Sequence, residues 1–266
     1  MKRGVYLLPN GLTLGGMFFG FYSIIASING SYTVAAWSIL IATVFDGLDG
    51  WVARLTNTST RFGIELDSLS DLVAFGVAPA VMVFNWAFAP FGRVGWVVAF
   101  LYVSCGALRL ARYNVQMVST EKKYFTGMPI PGAAMVLCSV VIFYHNTWQV
   151  PPGKSVLLLI LTVVLAALMI STLRFHGFKE LDLTKRKPFV LLVLLVIFVM
   201  LVVVHPPYMI FGFAMIYLTW GIIENMYTFY RRKRRDNNLP PLSGGGNDEF
   251  NKDEPNKTEQ VKGTDT

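Results

Sequence analysis

Stretches of about 20 mostly apolar residues recur along this chain, and they constrain its fold more than any other feature. Helices of that length cross the hydrocarbon core of a bilayer, where only helices and closed barrels satisfy every backbone hydrogen bond. The sequence therefore predicts an all-α polytopic membrane bundle of about eight transmembrane helices. The approximate spans are Asn10–Ile28, Thr33–Ala53, Leu66–Phe88, Val94–Tyr113, Pro131–Trp148, Ser155–Leu173, Phe189–Val204 and Tyr208–Tyr230.

The composition supports lipid as the solvent for most of the chain. Charged residues make up only 15% and hydrophobic residues 54%, whereas water-soluble domains carry about 25% charged residues. The composition changes abruptly after Arg235, because residues 236–266 are rich in Asn, Gly, Asp, Glu, Lys, Pro and Thr. We predict a transmembrane domain over residues 1–235 and a disordered cytoplasmic tail over residues 236–266.

The basic residues predict how the spans are oriented, since cytoplasmic loops of membrane proteins are enriched in Lys and Arg. With the N-terminus in the cytoplasm, only Arg93 and Lys154 fall outside, and the run Arg231–Arg235 follows the last span on the inside. Both termini are therefore predicted to be cytoplasmic, in a multi-pass protein of the cell (inner) membrane. The net charge is +7, and we expect the basic residues to interact with membrane lipids and the protein not to bind nucleic acid.

Acidic residues are scarce in the first 120 positions, and all of them lie in one short window. They are Asp46, Asp49, Glu65, Asp67 and Asp71. Asp46 and Asp49 are three residues apart at the end of the second span, and Asp67 and Asp71 are four apart at the start of the third. Each pair shares one helix face, so neighbouring antiparallel spans bring the four aspartates together at the cytoplasmic end. Carboxylates this close to hydrocarbon are costly and typically functional.

Four carboxylates without a His or Cys ligand favour a hard cation. Mg²⁺ or Mn²⁺ is predicted, with Ca²⁺ as an alternative. Two ions would suit a substrate with two phosphates, because each cation neutralises phosphate charge. Gly50, Ala53 and Gly63 lie on the same helix faces and leave room for a nucleotide beside the backbone; close helix packing is the other explanation.

The spacing of these residues resembles the signature of the CDP-alcohol phosphatidyltransferases. It reads Asp46-x2-Asp49-Gly50-x2-Ala53-Arg54-x8-Gly63-x3-Asp67-x3-Asp71 and agrees at all eight specified positions. Three further segments resemble the phosphatidylserine synthase branch of that family. They are Leu66–Ala80, Leu108–Asn114 and Phe125–Pro131. The matching segments run through roughly the first half of the chain, and the last three spans carry no recognisable motif.

The resemblance implies transfer of a phosphatidyl group from CDP-diacylglycerol to L-serine, with release of CMP. It implies that Asp46, Asp49 and Asp67 are metal ligands, and that Asp71 is the general base and a further candidate ligand. The implied CDP-diacylglycerol site consists of Asp46, Gly50, Ala53, Arg54 and Gly63, although Arg54 is also explained as a plain cytoplasmic charge. The family is compatible with a homodimer.

The acceptor alcohol needs its own recognition. Arg109 and Arg112, at the inner end of the fourth span, are candidates to bind the carboxylate of serine or a phosphate. The alternative is that both are ordinary positive-inside charges. Other acceptors stay open at this point, namely glycerol 3-phosphate, an inositol phosphate or choline.

Two other classes of function compete with a transferase. Eight spans with carboxylates among them also describe an ion-coupled transporter. However, the aspartates cluster at one membrane face, and their pattern is not repeated in the second half of the chain. A structural protein that uses the aspartates only to join helices would leave their strong mutual repulsion unexplained.

Overall fold

The structure, a computed structural model, describes residues 7–56, 60–118, 127–150, 152–171 and 204–237, with backbone alone at 117–118 and 224–237. These residues form helices, and the described ranges contain no strand. Seven helices follow one another within these ranges. They are α1 (Leu7–Ile28), α2 (Tyr32–Leu55), α3 (Arg61–Phe91), α4 (Arg93–Val118), α5 (Ile130–Trp148), α6 (Val156–Ile170) and α7 (Pro206–Asn237).

Six of these seven helices are long and apolar enough to cross a membrane, and α6 is a shorter apolar helix. Large apolar side chains such as Phe18, Leu157 and Trp220 are exposed on the bundle surface, as expected of residues that face lipid. The prediction of an all-α polytopic membrane protein is confirmed. The candidate span Phe189–Val204 lies outside the described residues except for Val204, so the number eight stays a prediction.

The chain divides into two units, residues 1–226 and 227–266. The first contains α1 to α6 and most of α7. Of the second, the structure describes only helical backbone as far as Asn237. The predicted tail beyond Asn237 lies outside the described residues, and the predicted domain boundary at residue 235 stays a prediction.

Local sequence signals explain several helix ends. The Thr60 hydroxyl accepts a hydrogen bond from the Gly63 amide at 3.0 Å and caps α3, and Ser155 caps α6 in the same way. Pro131 lies in the first turn of α5, where its missing amide costs nothing. At the other end of α5, Gln149 adopts a left-handed backbone conformation that closes the helix.

Helix α3 is continuous but not regular. Two of its segments are π-helical, namely Leu72–Val77 and Phe84–Phe88. In each segment a tyrosine hydroxyl from another helix donates to a backbone carbonyl: Tyr102 to the Phe75 oxygen and Tyr32 to the Asn85 oxygen, both at 3.2 Å. Hydrogen bonds of this kind satisfy backbone groups that water cannot reach in lipid. The apolar pattern of the third predicted span contains no signal for these wide turns.

Helix α1 packs closely against α2 and α3 through small residues. Gly16 lies beside Phe45 and Ser70, and Gly20 lies directly on Ala74 of α3. The bundle core continues through fully buried side chains of α3 and α4, including Phe75 and Tyr102. This packing places the start of α3 against α1, so that its acidic residues and those of α2 line one space.

Candidate active site

A small cavity, with almost no room for a water molecule, lies between α1, α2 and the first half of α3, and all four predicted aspartates line it. Its walls are formed by Thr13, Gly16, Ala42, Asp46, Asp49, Asp67, Ser70, Asp71, Ala74 and Phe75. The two pairs of aspartates therefore come together as their helical spacing predicts, since both pairs line one space. Their chemical roles are not decided by this placement.

Three of the carboxylates form a tight group. Asp46, Asp49 and Asp67 each offer an oxygen atom, and these oxygens lie within 4.8 Å of one another. Asp49 is buried and the other two are half-buried. Three carboxylates at this separation repel one another, and a divalent cation between them removes the repulsion. The all-oxygen donor set fits a hard divalent ion, so this cluster is able to bind a metal.

Asp71 lies one helical turn beyond Asp67 and lines the same cavity, but it is not part of the three-carboxylate group. Its carboxylate interacts electrostatically with the three other aspartates and with Arg109 of α4. Asp71 therefore lies within electrostatic range of both the acidic group and a guanidinium. A carboxylate in this position is able to accept a proton beside a metal site.

Helix α1 supplies a wall of the cavity that the sequence reasoning did not assign. Ser70 donates a hydrogen bond to the backbone oxygen of Thr13 at 3.0 Å, and the Thr13 side chain contacts Asp49. These contacts join α1 to both acidic helices. A signal was present, because Pro9, Thr13, Gly16 and the next small residues recur on one buried face of α1.

Of the residues predicted to bind CDP-diacylglycerol, Asp46 lines the cavity, and the other four lie outside its lining, toward the end of α2 and the start of α3. Gly50 has open space beside it, with the Arg54 guanidinium 3.8 Å from the position of an added Cβ atom. Arg54 is exposed and Ala53 is half-buried. Gly63 packs against Thr60, and a Cβ atom added at Gly63 would lie 3.4 Å from the side-chain oxygen of Asn10 of α1. The structure thus places these residues beside the aspartates, and their contact with a nucleotide stays a prediction.

The two predicted acceptor arginines have different surroundings. Arg112 is exposed and donates a hydrogen bond to the backbone oxygen of Ile170, the last residue of α6, at 3.1 Å. Arg109 is half-buried and interacts with Asp71, and its Nε atom is buried without a hydrogen-bond partner among the described residues. The geometry therefore brings Arg109 to the aspartates, whereas Arg112 joins α4 to α6.

Glu65, the fifth early acidic residue, lies outside the cavity. Its carboxylate accepts a hydrogen bond from Asn114 of α4 at 3.4 Å, and the same amide donates to Ser68 at 3.0 Å. Asn114 belongs to the segment that resembled the phosphatidylserine synthase branch. These contacts hold the C-terminal part of α4, which carries Arg109, against the start of α3, which carries Asp71.

Comparison with known sequences decides the family. Residues 6–168, which include the whole cavity lining, match the sequence model of the CDP-alcohol phosphatidyltransferases. The chain belongs to this family. The expectation drawn from the aspartate spacing is therefore confirmed, and a phosphatidyltransferase cavity of this type explains why four carboxylates share one space.

Relatives within the family carry names that mention serine. A CDP-diacylglycerol–serine O-phosphatidyltransferase of Helicobacter pylori is 37% identical over 223 residues, which cover 84% of this chain and 92% of the relative. An archaetidylserine synthase of Methanothermobacter thermautotrophicus is 39% identical over 63% of this chain and 69% of its own. A Saccharomyces cerevisiae protein with the same name as the first is 41% identical over about half of each chain. These matches support the phosphatidylserine synthase branch of the CDP-alcohol phosphatidyltransferases.

Proposed function

We propose that this protein transfers the phosphatidyl group of CDP-diacylglycerol to L-serine, producing phosphatidylserine and CMP. The observation that carries the proposal is the cavity of four aspartates in a chain of this family. The choice of serine is supported by the relatives, because their names differ in the lipid, phosphatidyl or archaetidyl, but share serine. The reaction belongs to phospholipid biosynthesis.

The three-carboxylate group is proposed to hold one or two divalent cations, Mg²⁺ or Mn²⁺. When bound, such cations neutralise the diphosphate and stabilise the departing phosphate of CMP. Asp46, Asp49 and Asp67 provide the oxygen ligands, and Asp71 is a further candidate ligand. Asp46, with Gly50, Ala53, Arg54 and Gly63, is proposed to bind CDP-diacylglycerol, because Gly50 leaves open space near the end of α2 beside the acidic group.

Asp71 is proposed to accept the proton of the serine hydroxyl. As the serine oxygen forms its bond to phosphorus, the bond between phosphorus and the CMP oxygen breaks, and the proton moves to the Asp71 carboxylate. A hydroxyl is a weak nucleophile until its proton is removed, so this step raises its reactivity. Arg109 faces Asp71 and is proposed to bind the carboxylate of serine. Arg112, the second predicted acceptor residue, is proposed to have the smaller effect on serine binding, because its hydrogen bond to the Ile170 carbonyl joins α4 to α6.

The finer localisation also belongs to this proposal. The distribution of Lys and Arg supports a multi-pass protein of the inner membrane with both termini in the cytoplasm. The cavity then opens near the cytoplasmic face, where soluble serine and the nucleotide part of the lipid meet. The domain over 1–235 carries the reaction in this proposal, the tail over 236–266 does not, and a homodimer is the proposed assembly.

The proposed reaction is tested with purified protein in vesicles containing CDP-diacylglycerol and Mg²⁺ or Mn²⁺. Serine, glycerol 3-phosphate, an inositol phosphate and choline are offered separately, and CMP and the lipid product are measured. We expect CMP and phosphatidylserine with serine alone. Release of CMP with another alcohol, but not with serine, would overturn the acceptor. Failure with every alcohol would overturn the transferase.

A further inference from the structure

Ser70 makes a hydrogen bond that links α3 to α1 at the aspartate cavity. Its hydroxyl donates to the backbone oxygen of Thr13 at 3.0 Å, and both residues are buried. Both also line the cavity together with the four aspartates. Other buried serine hydroxyls, such as those of Ser38 and Ser139, donate to a carbonyl of their own helix. The bond of Ser70 is therefore one that acts between helices, at the site itself.

Ser70 stands between the two aspartates of α3. It follows Asp67 by three positions and directly precedes Asp71, so the three residues project from one side of the helix. All three line the cavity. A shift of α3 along its axis at Ser70, or a rotation about that axis, would therefore move both carboxylates.

The rest of this contact between α1 and α3 is made by small residues. A Cβ atom added at Gly16 would lie 3.8 Å from the Ser70 hydroxyl oxygen, and Gly20 lies directly on Ala74. Small residues let two helix backbones approach closely, but they give little resistance to one helix sliding along the other. A hydrogen bond is directional and limited in length, so the bond from Ser70 fixes the register that the small residues leave open.

Helix α1 contacts α2 just as close to its aspartates. A Cβ atom added at Gly16 would also lie 3.5 Å from the Phe45 Cβ atom, and Phe45 directly precedes Asp46. The three-carboxylate group takes two members from α2 and one, Asp67, from α3. Its geometry therefore requires α2 and α3 to keep a fixed relative position, and α1 touches both helices next to the carboxylates.

We propose that Ser70 is a positioning residue for the divalent cation, an inference that rests on the proposed use of a metal by the aspartates. Its hydrogen bond to the Thr13 carbonyl holds Asp67 opposite the two aspartates of α2, so that the three carboxylates are arranged for the cation before it binds. Without this bond Asp67 occupies more positions, and binding of the cation carries the cost of selecting one of them.

The test is the Ser70→Ala variant, with Ser139→Ala as the matched control. Ser139 is a fully buried serine outside the cavity, and its hydroxyl donates to the Val136 carbonyl of its own helix at 2.7 Å. Binding of Mn²⁺ to the purified protein, without any substrate, is measured by electron paramagnetic resonance of the free ion. We expect Ser70→Ala to raise the Kd for Mn²⁺ about three- to tenfold, the usual effect of losing one hydrogen bond, and Ser139→Ala to leave it unchanged.

Turnover provides a second readout. The Mg²⁺ concentration that gives half-maximal CMP release should rise about three- to tenfold in Ser70→Ala, in step with the Kd. The kcat at saturating Mg²⁺ should stay within about twofold of wild type, because a higher ion concentration restores the occupied site by mass action. A purely structural defect would instead lower kcat at every Mg²⁺ concentration.

Ser70→Thr tests the hydrogen bond itself, because it retains a hydroxyl at the same position. It should bind Mn²⁺ within about twofold of wild type. If Ser70→Thr binds Mn²⁺ as weakly as Ser70→Ala, the hydrogen bond is not the cause, and the inference is overturned.

Three other results would also overturn the role of Ser70. They are an unchanged Kd for Mn²⁺ in folded Ser70→Ala, an equal loss of affinity in Ser139→Ala, and a kcat in Ser70→Ala that saturating Mg²⁺ does not restore. Each of them leaves the proposed transfer to serine intact. The binding measurement contains neither serine nor lipid substrate, so a wrong acceptor alcohol would not change it. If the wild-type protein binds no Mn²⁺, the proposed metal site fails, and the role of Ser70 fails with it.

Discussion

Replacing Gly20 by alanine tests whether the close contact between α1 and α3 holds the cavity in shape. A Cβ atom at Gly20 would lie 2.5 Å from the Ala74 Cα atom and 2.8 Å from its Cβ atom. Contacts between such atoms begin at about 3.4 Å, so the two helices must separate by about 0.9 Å. Ala74 lines the cavity three residues after Asp71, and the separation therefore displaces one wall of the site.

The expected size of the effect follows from this displacement. A shift of about 1 Å in a catalytic group can lower a rate about 100-fold, and overpacking of this kind costs about 1–3 kcal/mol of stability. We expect Gly20→Ala to reduce CMP release with serine by one to two orders of magnitude. Its melting temperature in detergent should fall by roughly 2–10 °C.

Gly11→Ala is the control for this experiment, because Gly11 lies on the same helix and has no atom within 4 Å of an added Cβ. Both variants gain the same helix propensity, so a difference between them reports the steric contact alone. Gly11→Ala should keep wild-type activity and stability. If Gly20→Ala is as active and as stable as Gly11→Ala, the close approach of α1 to α3 does not control the cavity, and the reasoning is refuted.

Three further experiments address the aspartates and the arginines. Asp71→Asn should lower kcat at least 100-fold without unfolding the protein, because it removes the proposed proton acceptor. The kcat of Glu65→Gln, a change outside the cavity, should stay within about twofold of wild type. Near-normal turnover of Asp71→Asn would show that Asp71 is not the proton acceptor. EDTA should stop turnover, and Mg²⁺ or Mn²⁺ should restore it. The same ions should raise the melting temperature of the wild-type protein but not of the Asp49→Asn variant, because an ion that binds the folded protein stabilises it. Full activity in metal-free buffer would contradict a metal site. Arg109→Ala should raise the KM for serine about tenfold or more. Arg112→Ala should mainly lower the melting temperature, because it removes the hydrogen bond to the Ile170 carbonyl. A larger rise in the KM for serine with Arg112→Ala than with Arg109→Ala would show that Arg112 is the main acceptor residue.

The acidic half of the site could be predicted because helix periodicity is a local property. The spacing of Asp46 and Asp49 on one helix, and of Asp67 and Asp71 on the next, fixes which residues share a face. A short connection between antiparallel spans then brings the faces together. Helix spacing does not specify how deep each carboxylate lies. The family resemblance gave Asp71 a separate role, and the structure places it outside the three-carboxylate group.

The remaining features depend on contacts between distant parts of the chain. Thr13 reaches the site only because α1 packs against α2 and α3, and Tyr217 of α7 packs against α5 only because Gly132 leaves space for its ring. Pairings of this kind are not encoded in any single segment. Arg109 and Arg112 are equivalent by charge and position in the sequence, and their different neighbours distinguish them.

The wide turns of α3 have a consequence for how this chain tolerates changes in length. A π-turn accommodates one residue more than an α-turn, so deleting one residue within Leu72–Val77 would allow this segment to become α-helical. The rest of α3 would then keep its rotation relative to Asp67 and Asp71, because one residue is lost while the number of turns stays the same. Deleting one residue from the α-helical segment Ala78–Val83 would instead rotate the following part of α3 by about 100°. A chimera that changes the length of α3 by one residue should therefore place the change within Leu72–Val77.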